Sequence, residues 1–153
     1  MSRLYGIVDT ARDPGLYDLV MACPVRDCLF AGVIEEPLNR AAPWLVDLTG
    51  ESPLKDIWRV KGWGQSWGIL VRSALGLQDL RRHLRKFLLA QLPEGETVLF
   101  RFYDPRVWRI YWPSCSAEEK AGWMEGVEAF VAEEEGASPA PVTSQPSPFP
   151  RSL

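Results

Sequence analysis

Several groups of residues in this chain have types and spacings that could carry chemistry. Gly64-Gln65-Ser66-Trp67-Gly68 fits G-x-S-x-G, the nucleophile elbow of serine hydrolases. An elbow needs a strand before the serine and a helix after it, so that the oxygen stands exposed beside backbone N–H donors. Here a helix and a glycine-rich loop come before Ser66 and an apolar strand follows, which inverts the order. A triad also needs a histidine, and the one histidine, His83, falls on a helix beside Arg82. It reads as a surface residue paired with Asp79 four positions earlier. Ser66 is therefore assigned to a turn and no residue to catalysis. Gly62, Gly64 and Gly68 permit close backbone approach, and Trp63 and Trp67 bring apolar surface to the core or to an interface.

Cys23, Cys28, Cys115 and His83 make four soft ligands on paper. No CxxC or HxxxH pair fixes any two of them, so no metal is expected. An odd, sparse set of three cysteines suits reduced thiols in a reducing compartment. As a phosphate loop, GWGQSWG lacks the Lys-Ser/Thr of one common type and the strand-then-helix setting of the other, and no cofactor is expected.

Arg81, Arg82, Arg85 and Lys86 cluster opposite an apolar stripe, and Arg101, Arg106 and Arg109 interleave with Phe102, Tyr103, Trp108 and Tyr111. Basic residues among exposed rings could bind single-stranded nucleic acid. Yet RFYDPRVWRIYW lacks the glycine pattern of an RNA-recognition strand, and the net charge of -3 supplies no attracting field. A basic face suits an acidic protein partner equally well.

The elements that must position these residues follow from local pattern. Leu4 to Val8, Cys28 to Gly32, Trp44 to Leu48, Trp67 to Val71 and Thr97 to Tyr103 read as strands. A Pro-containing loop with Glu35, Glu36 and Pro37 separates the second from the third. Asp13-Pro14, Ser52-Pro53 and Asp104-Pro105 each look like a cap followed by proline at the first helical position. The period-3.6 run after Gly76 predicts a helix as far as Leu92, which Pro93 ends. Glu94-Gly95 predicts a turn, and Ser116 with Glu119 a capping box opening a helix to Glu135. The expected fold is α/β: a single domain over residues 1–135, with a mixed sheet of about five strands flanked by helices. Residues 136–153, rich in Pro and Ser, read as a disordered tail. No spanning run and no secretory signal is visible, so a cytoplasmic location is expected, with no membrane partner.

The succession FAGVIEEPLNRAAPWLVDL, GQSWGILVRS and LRRHLRKFLLAQLPEGETVLFRFYDPRVWRIYWPSC resembles the domain shared by type VI secretion effector chaperones, the adaptors called Tap or TEC. FRFYDPRV and SWGILVRS are its most characteristic pieces, and the resemblance covers about residues 3 to 130. It implies no enzymatic activity. Members of that family are encoded beside a toxic effector and the VgrG spike protein, bind the effector and help load it onto the spike. Many continue into a second, helical lobe where this sequence has its Pro/Ser-rich segment. The resemblance makes Ser66, Trp67, Gly68, Tyr103, Asp104, Pro105 and Arg106 scaffold residues. Partner binding is expected from Arg82, Arg85 and Lys86, with Trp63 and Trp108 where these are exposed, because Arg and Trp are favoured interface anchors. A nucleic-acid-binding module is the first alternative and a small serine hydrolase using Ser66 the second.

Overall fold

The segment RLYGIVD is apolar at nearly every position, and as strand β1 (Arg3–Asp9) it is buried throughout except at Arg3. That is the pattern of a strand covered on both faces. Side chains alternate across the sheet, so Tyr5 and Ile7 serve one core and Leu4 and Val8 the other. The computed structural model describes residues 2–30 and 42–138. Within them, β2 (Arg26–Cys28), β3 (Pro43–Asp47), β4 (Gly68–Ser73) and β7 (Val127–Val131) join β1 in a five-stranded sheet of order β2-β3-β1-β4-β7. The short strands β5 (Leu89–Gln91) and β6 (Thr97–Leu99) form a separate hairpin.

The α/β class, the five strands and the flanking helices are as the sequence implies. Every pairing in the large sheet is antiparallel rather than mixed in direction. The joining segments are long enough for crossovers, yet each returns its strand beside neighbours running the other way, the pairing that outnumbers parallel pairing in sheets generally.

Helices cover both faces. On one, Leu16 and Val20 of α1 (Leu16–Met21), Leu54 of α2 (Pro53–Ile57) and Trp58 of the π turn that follows (Trp58–Gly62) pack with Trp63 and Trp67 on Leu4, Val8, Val46 and Leu70. On the other, Leu80 and Leu84 of α3 (Leu77–Arg85), Trp108 of α4 (Pro105–Ser114) and Trp123 of α5 (Ala117–Trp123) pack with Phe102 on Tyr5, Ile7, Ile69 and Val71. Each large apolar side chain so buried contributes roughly 1.5–3 kcal/mol.

Two of the three proline starts hold. Ser52 accepts a hydrogen bond from Lys55 N at 3.3 Å and Asp104 one from Arg106 N at 2.9 Å. Asp13 instead accepts from Gly15 N, one turn before α1 begins at Leu16. The long helix to Leu92 stops at Arg85, because Leu89–Gln91 is drawn into the hairpin by a turn at Gly95, φ +91°. Correspondingly, the strand from Thr97 ends at Leu99, after which Phe102 and Tyr103 turn into the core. The capping box of Ser116 and Glu119 is present, but its helix ends at Trp123. Gly126, φ +73°, breaks it and frees Val127–Val131 to pair with β4. Of the second predicted strand, Cys28 closes β2, while Ala31 and Gly32, the loop with Glu35, Glu36 and Pro37, and the tail from residue 139 lie outside the described residues.

Candidate functional site

The loop between the π turn and β4 carries the G-x-S-x-G pattern, and its backbone explains the residue types. Gln65 N donates to Gly62 O, Gly64 sits at φ +95°, and Ser66 is the one described non-glycine residue with positive φ, at +60°. A Cβ at Gly62 would run into the Trp67 ring, and one at Gly68 into the carbonyl oxygen of Ile7 on the neighbouring strand. The glycines thus allow Trp67 to lie flat on the loop and β4 to approach β1.

This twist turns two N–H groups to the same point, a concave anion cradle of the kind that stabilises oxyanions. The cradle is filled from within. Glu133, 2% exposed, accepts from Gly64 N at 2.7 Å and from Ser66 N at 2.8 Å, one on each carboxylate oxygen. Ser66 Oγ donates to the same carboxylate at 3.3 Å. Arg109 Nη1 holds the backbone carbonyl of Glu133 at 2.7 Å. Ser66 therefore has a carboxylate, and not an imidazole, beside its oxygen. His83 is buried on the far core, its Nε2 donating to Trp123 O at 2.8 Å, and is not the surface partner of Asp79 that helical spacing implies. Asp79 pairs with Arg82 instead, at 3.2 Å.

Next to this clasp lies the FRFYDPR corner. Asp9, buried at the end of β1, accepts from Arg101 Nη2 at 2.6 Å and from Ala11 N at 3.1 Å. Asp104 caps α4, with Pro105 buried in the first turn, and takes a two-pronged contact from the Arg106 guanidinium at 3.0 and 2.7 Å. Burial alone would raise the Asp104 carboxyl, but the Arg106 hydrogen bonds outweigh it and hold the group below its ordinary value. Tyr103 is buried beside this network, and burial pushes its hydroxyl up to about 12. The scaffold motif residues Ser66, Trp67, Gly68, Tyr103, Asp104, Pro105 and Arg106 fall in the loop, β4 and this corner. Asp9 N donates to Trp67 O at 2.8 Å, tying the two together.

Of the predicted partner residues, the three basic ones lie together and the two tryptophans lie apart from them. Arg82, Arg85 and Lys86 are exposed at the end of α3. Trp63 and Trp108 are each 5% exposed and sit in cores on opposite faces of the sheet. Neither joins the basic residues at the surface, because each ring fills the space under a helix. Cys23, Cys28 and Cys115 are buried free thiols, and among the described residues no three metal-ligating side chains converge. No described helix is long and apolar enough to cross a membrane.

Glu133 and Asp9 escaped the sequence reading. One is the first of three consecutive glutamates and the other ends a strand, and neither position signals its distant partner. No curated protein and no solved structure matches the chain. A family model does match, over residues 4–122, from within β1 to within α5 and short of the Glu133 clasp. That span is well over half of the 153 residues, and the chain belongs to the DUF4123 family, a domain of unknown function.

Proposed function

We propose that this chain is a non-catalytic cytoplasmic adaptor that binds a secreted effector protein and helps load it onto the VgrG spike of a type VI secretion system. The system and its partners come from the resemblance of the GQSWGILVRS and FRFYDPRV motifs, and the family match over residues 4–122 agrees with it. The observation that carries the non-catalytic half of the reading is the clasp. The donors that an attacking serine would need are occupied by Glu133, and the sole histidine is spent on the Trp123 carbonyl. The conspicuous motifs maintain a fold, and work is left to the surface.

The test is a pull-down from the native host with the tagged chain, whole and shortened after Ser138, with bound proteins identified by mass spectrometry. Recovery of a large effector together with a VgrG is expected. Recovery of neither, or labelling of Ser66 by a serine-directed probe, would overturn the reading.

A further inference from the structure

The exposed apolar side chains are not scattered. Of the six large ones among the described residues, Leu89, Leu92 and Leu99 sit on or beside the β5–β6 hairpin and Ile110 on α4. Leu89 is 65% and Ile110 79% exposed. Between the hairpin, the end of α3 and α4 lies a cleft of about 240 Å³ lined by Phe87, Leu89, Phe100, Tyr111 and Trp123. Tyr111 also borders a second hollow, lined by Val107 and Ile110 together with Asp104, Arg106 and Ser114. The floor is rigid. Trp123 stacks on Phe87 at 3.8 Å between centroids and donates its indole N–H to Tyr111 Oη at 3.0 Å, and Tyr111 meets Phe100 edge-on at 4.7 Å.

The one charged side chain lining the cleft is Lys86. Its ion pair with Glu125 spans 3.9 Å between two side chains each more than half exposed, and such a pair holds a lysine weakly. Arg82 and Arg85 continue the positive line along the exposed side of α3. An apolar, aromatic-walled cleft with a loosely held cation at its rim fits an acidic, aromatic-bearing segment.

We infer that the cleft between the hairpin and α4 is a docking pocket for one aromatic or large aliphatic side chain of a protein partner, flanked in that partner by carboxylates that engage Lys86. The inference rests on the adaptor reading only in taking the partner to be a protein. It moves the partner site away from the buried Trp63 and Trp108 and makes Lys86, not those rings, the shared element with the basic face.

The test needs no knowledge of the partner. The full chain, labelled with ¹⁵N, is titrated with acetyl-Glu-Phe-Glu-amide and with acetyl-Lys-Phe-Lys-amide. The acidic peptide is expected to shift the Phe87, Leu89, Phe100 and Tyr111 amides and the Trp123 indole N–H, with millimolar affinity of the order that a single anchor supplies. It should bind about fivefold more tightly than the basic one, a preference that Lys86→Glu reverses. The same spectrum reports whether the variant is folded. Shifts located elsewhere, or none, or equal affinity for both peptides would overturn the pocket. A partner recovered equally well by Leu89→Asp and Ile110→Asp chains would also overturn it and leave the adaptor reading standing. Peptide binding at the cleft with no partner recovered would do the reverse.

Discussion

Around the Glu133 clasp and the Asp104 corner, the polar groups that make the sequence look chemical have partners inside the molecule. Gly64 and Ser66 hold Glu133, Arg109 holds its carbonyl, Arg101 holds Asp9, and Arg106 holds Asp104. Around the hairpin, Leu89, Leu99 and Ile110 face solvent and Lys86 is only loosely paired. The first region closes the fold on itself and the second leaves surface for something else. The contrast teaches that a motif-like stretch can owe its residue types to backbone geometry, while apolar residues left open to solvent are not told from buried ones by their pattern in the sequence.

Substitutions can break this comparison. The largest loss is expected at Gly68→Ala, since the added Cβ meets the Ile7 carbonyl inside the β1–β4 ladder, where backbone and not a flexible side chain must yield. A cost of about 3 kcal/mol follows from overpacking at such a place, read as a lower midpoint in urea. An unchanged midpoint would mean that the strands approach less closely than described.

Glu133→Ala should come next, at about 2–3 kcal/mol, because it orphans one buried and one half-buried N–H group that a charged acceptor now satisfies. A loss under about 0.5 kcal/mol would show that the clasp is dispensable and its donors free for another anion. Asp104→Ala should cost about 1–2 kcal/mol, the value of a cap with its arginine contact. The sign with pH follows from its lowered value in the fold. Its contribution is present above the ordinary value of 3.8 and is lost as pH falls through the lower folded value. Acid unfolding of Asp104→Ala should therefore be shallower below about pH 4 than that of the parent chain.

These contacts also mark what was legible. Ser52, Asp104 and Ser116 were readable as caps because each bonds a residue two or three positions away. Glu133 was not, since its partners lie 67 and 69 residues earlier and nothing local sets it apart from Glu134. The run from Leu77 to Leu92 keeps helical periodicity past the point where α3 ends. Its last residues change state through pairing with Thr97–Leu99, a contact that periodicity does not encode. His83 was placed on the surface by its neighbours Arg82 and Asp79. It is drawn inward by the carbonyl of Trp123, at the end of α5, where helix carbonyls lack intrahelical partners. The open cleft was invisible because Phe87 and Leu89, Phe100, and Tyr111 come from three separate stretches, and only the fold brings them to one wall.

A smaller effect separates the structural serine from a catalytic one. Ser66 is at φ +60°, where an L-residue carries about 1 kcal/mol of strain, and its Oγ contact is long at 3.3 Å. Ser66→Gly should leave stability level or raise it by up to about 1 kcal/mol, while the N–H that holds Glu133 remains. Loss of partner binding in a chain so stabilised would return Ser66 to the functional list.

The smallest effect on the fold is expected where the surface is open. Ile110→Ser and Leu89→Ser remove side chains that are already mostly in water, so thermal unfolding should shift by no more than about 0.5 kcal/mol in either chain. A large loss would mean that these side chains are covered in the folded protein, by its own residues or by a second copy. Light scattering at rising concentration separates the two, because only a second copy makes the loss depend on concentration. Stability unchanged beside lost partner recovery would complete the contrast, with one region holding the fold and the other serving a partner.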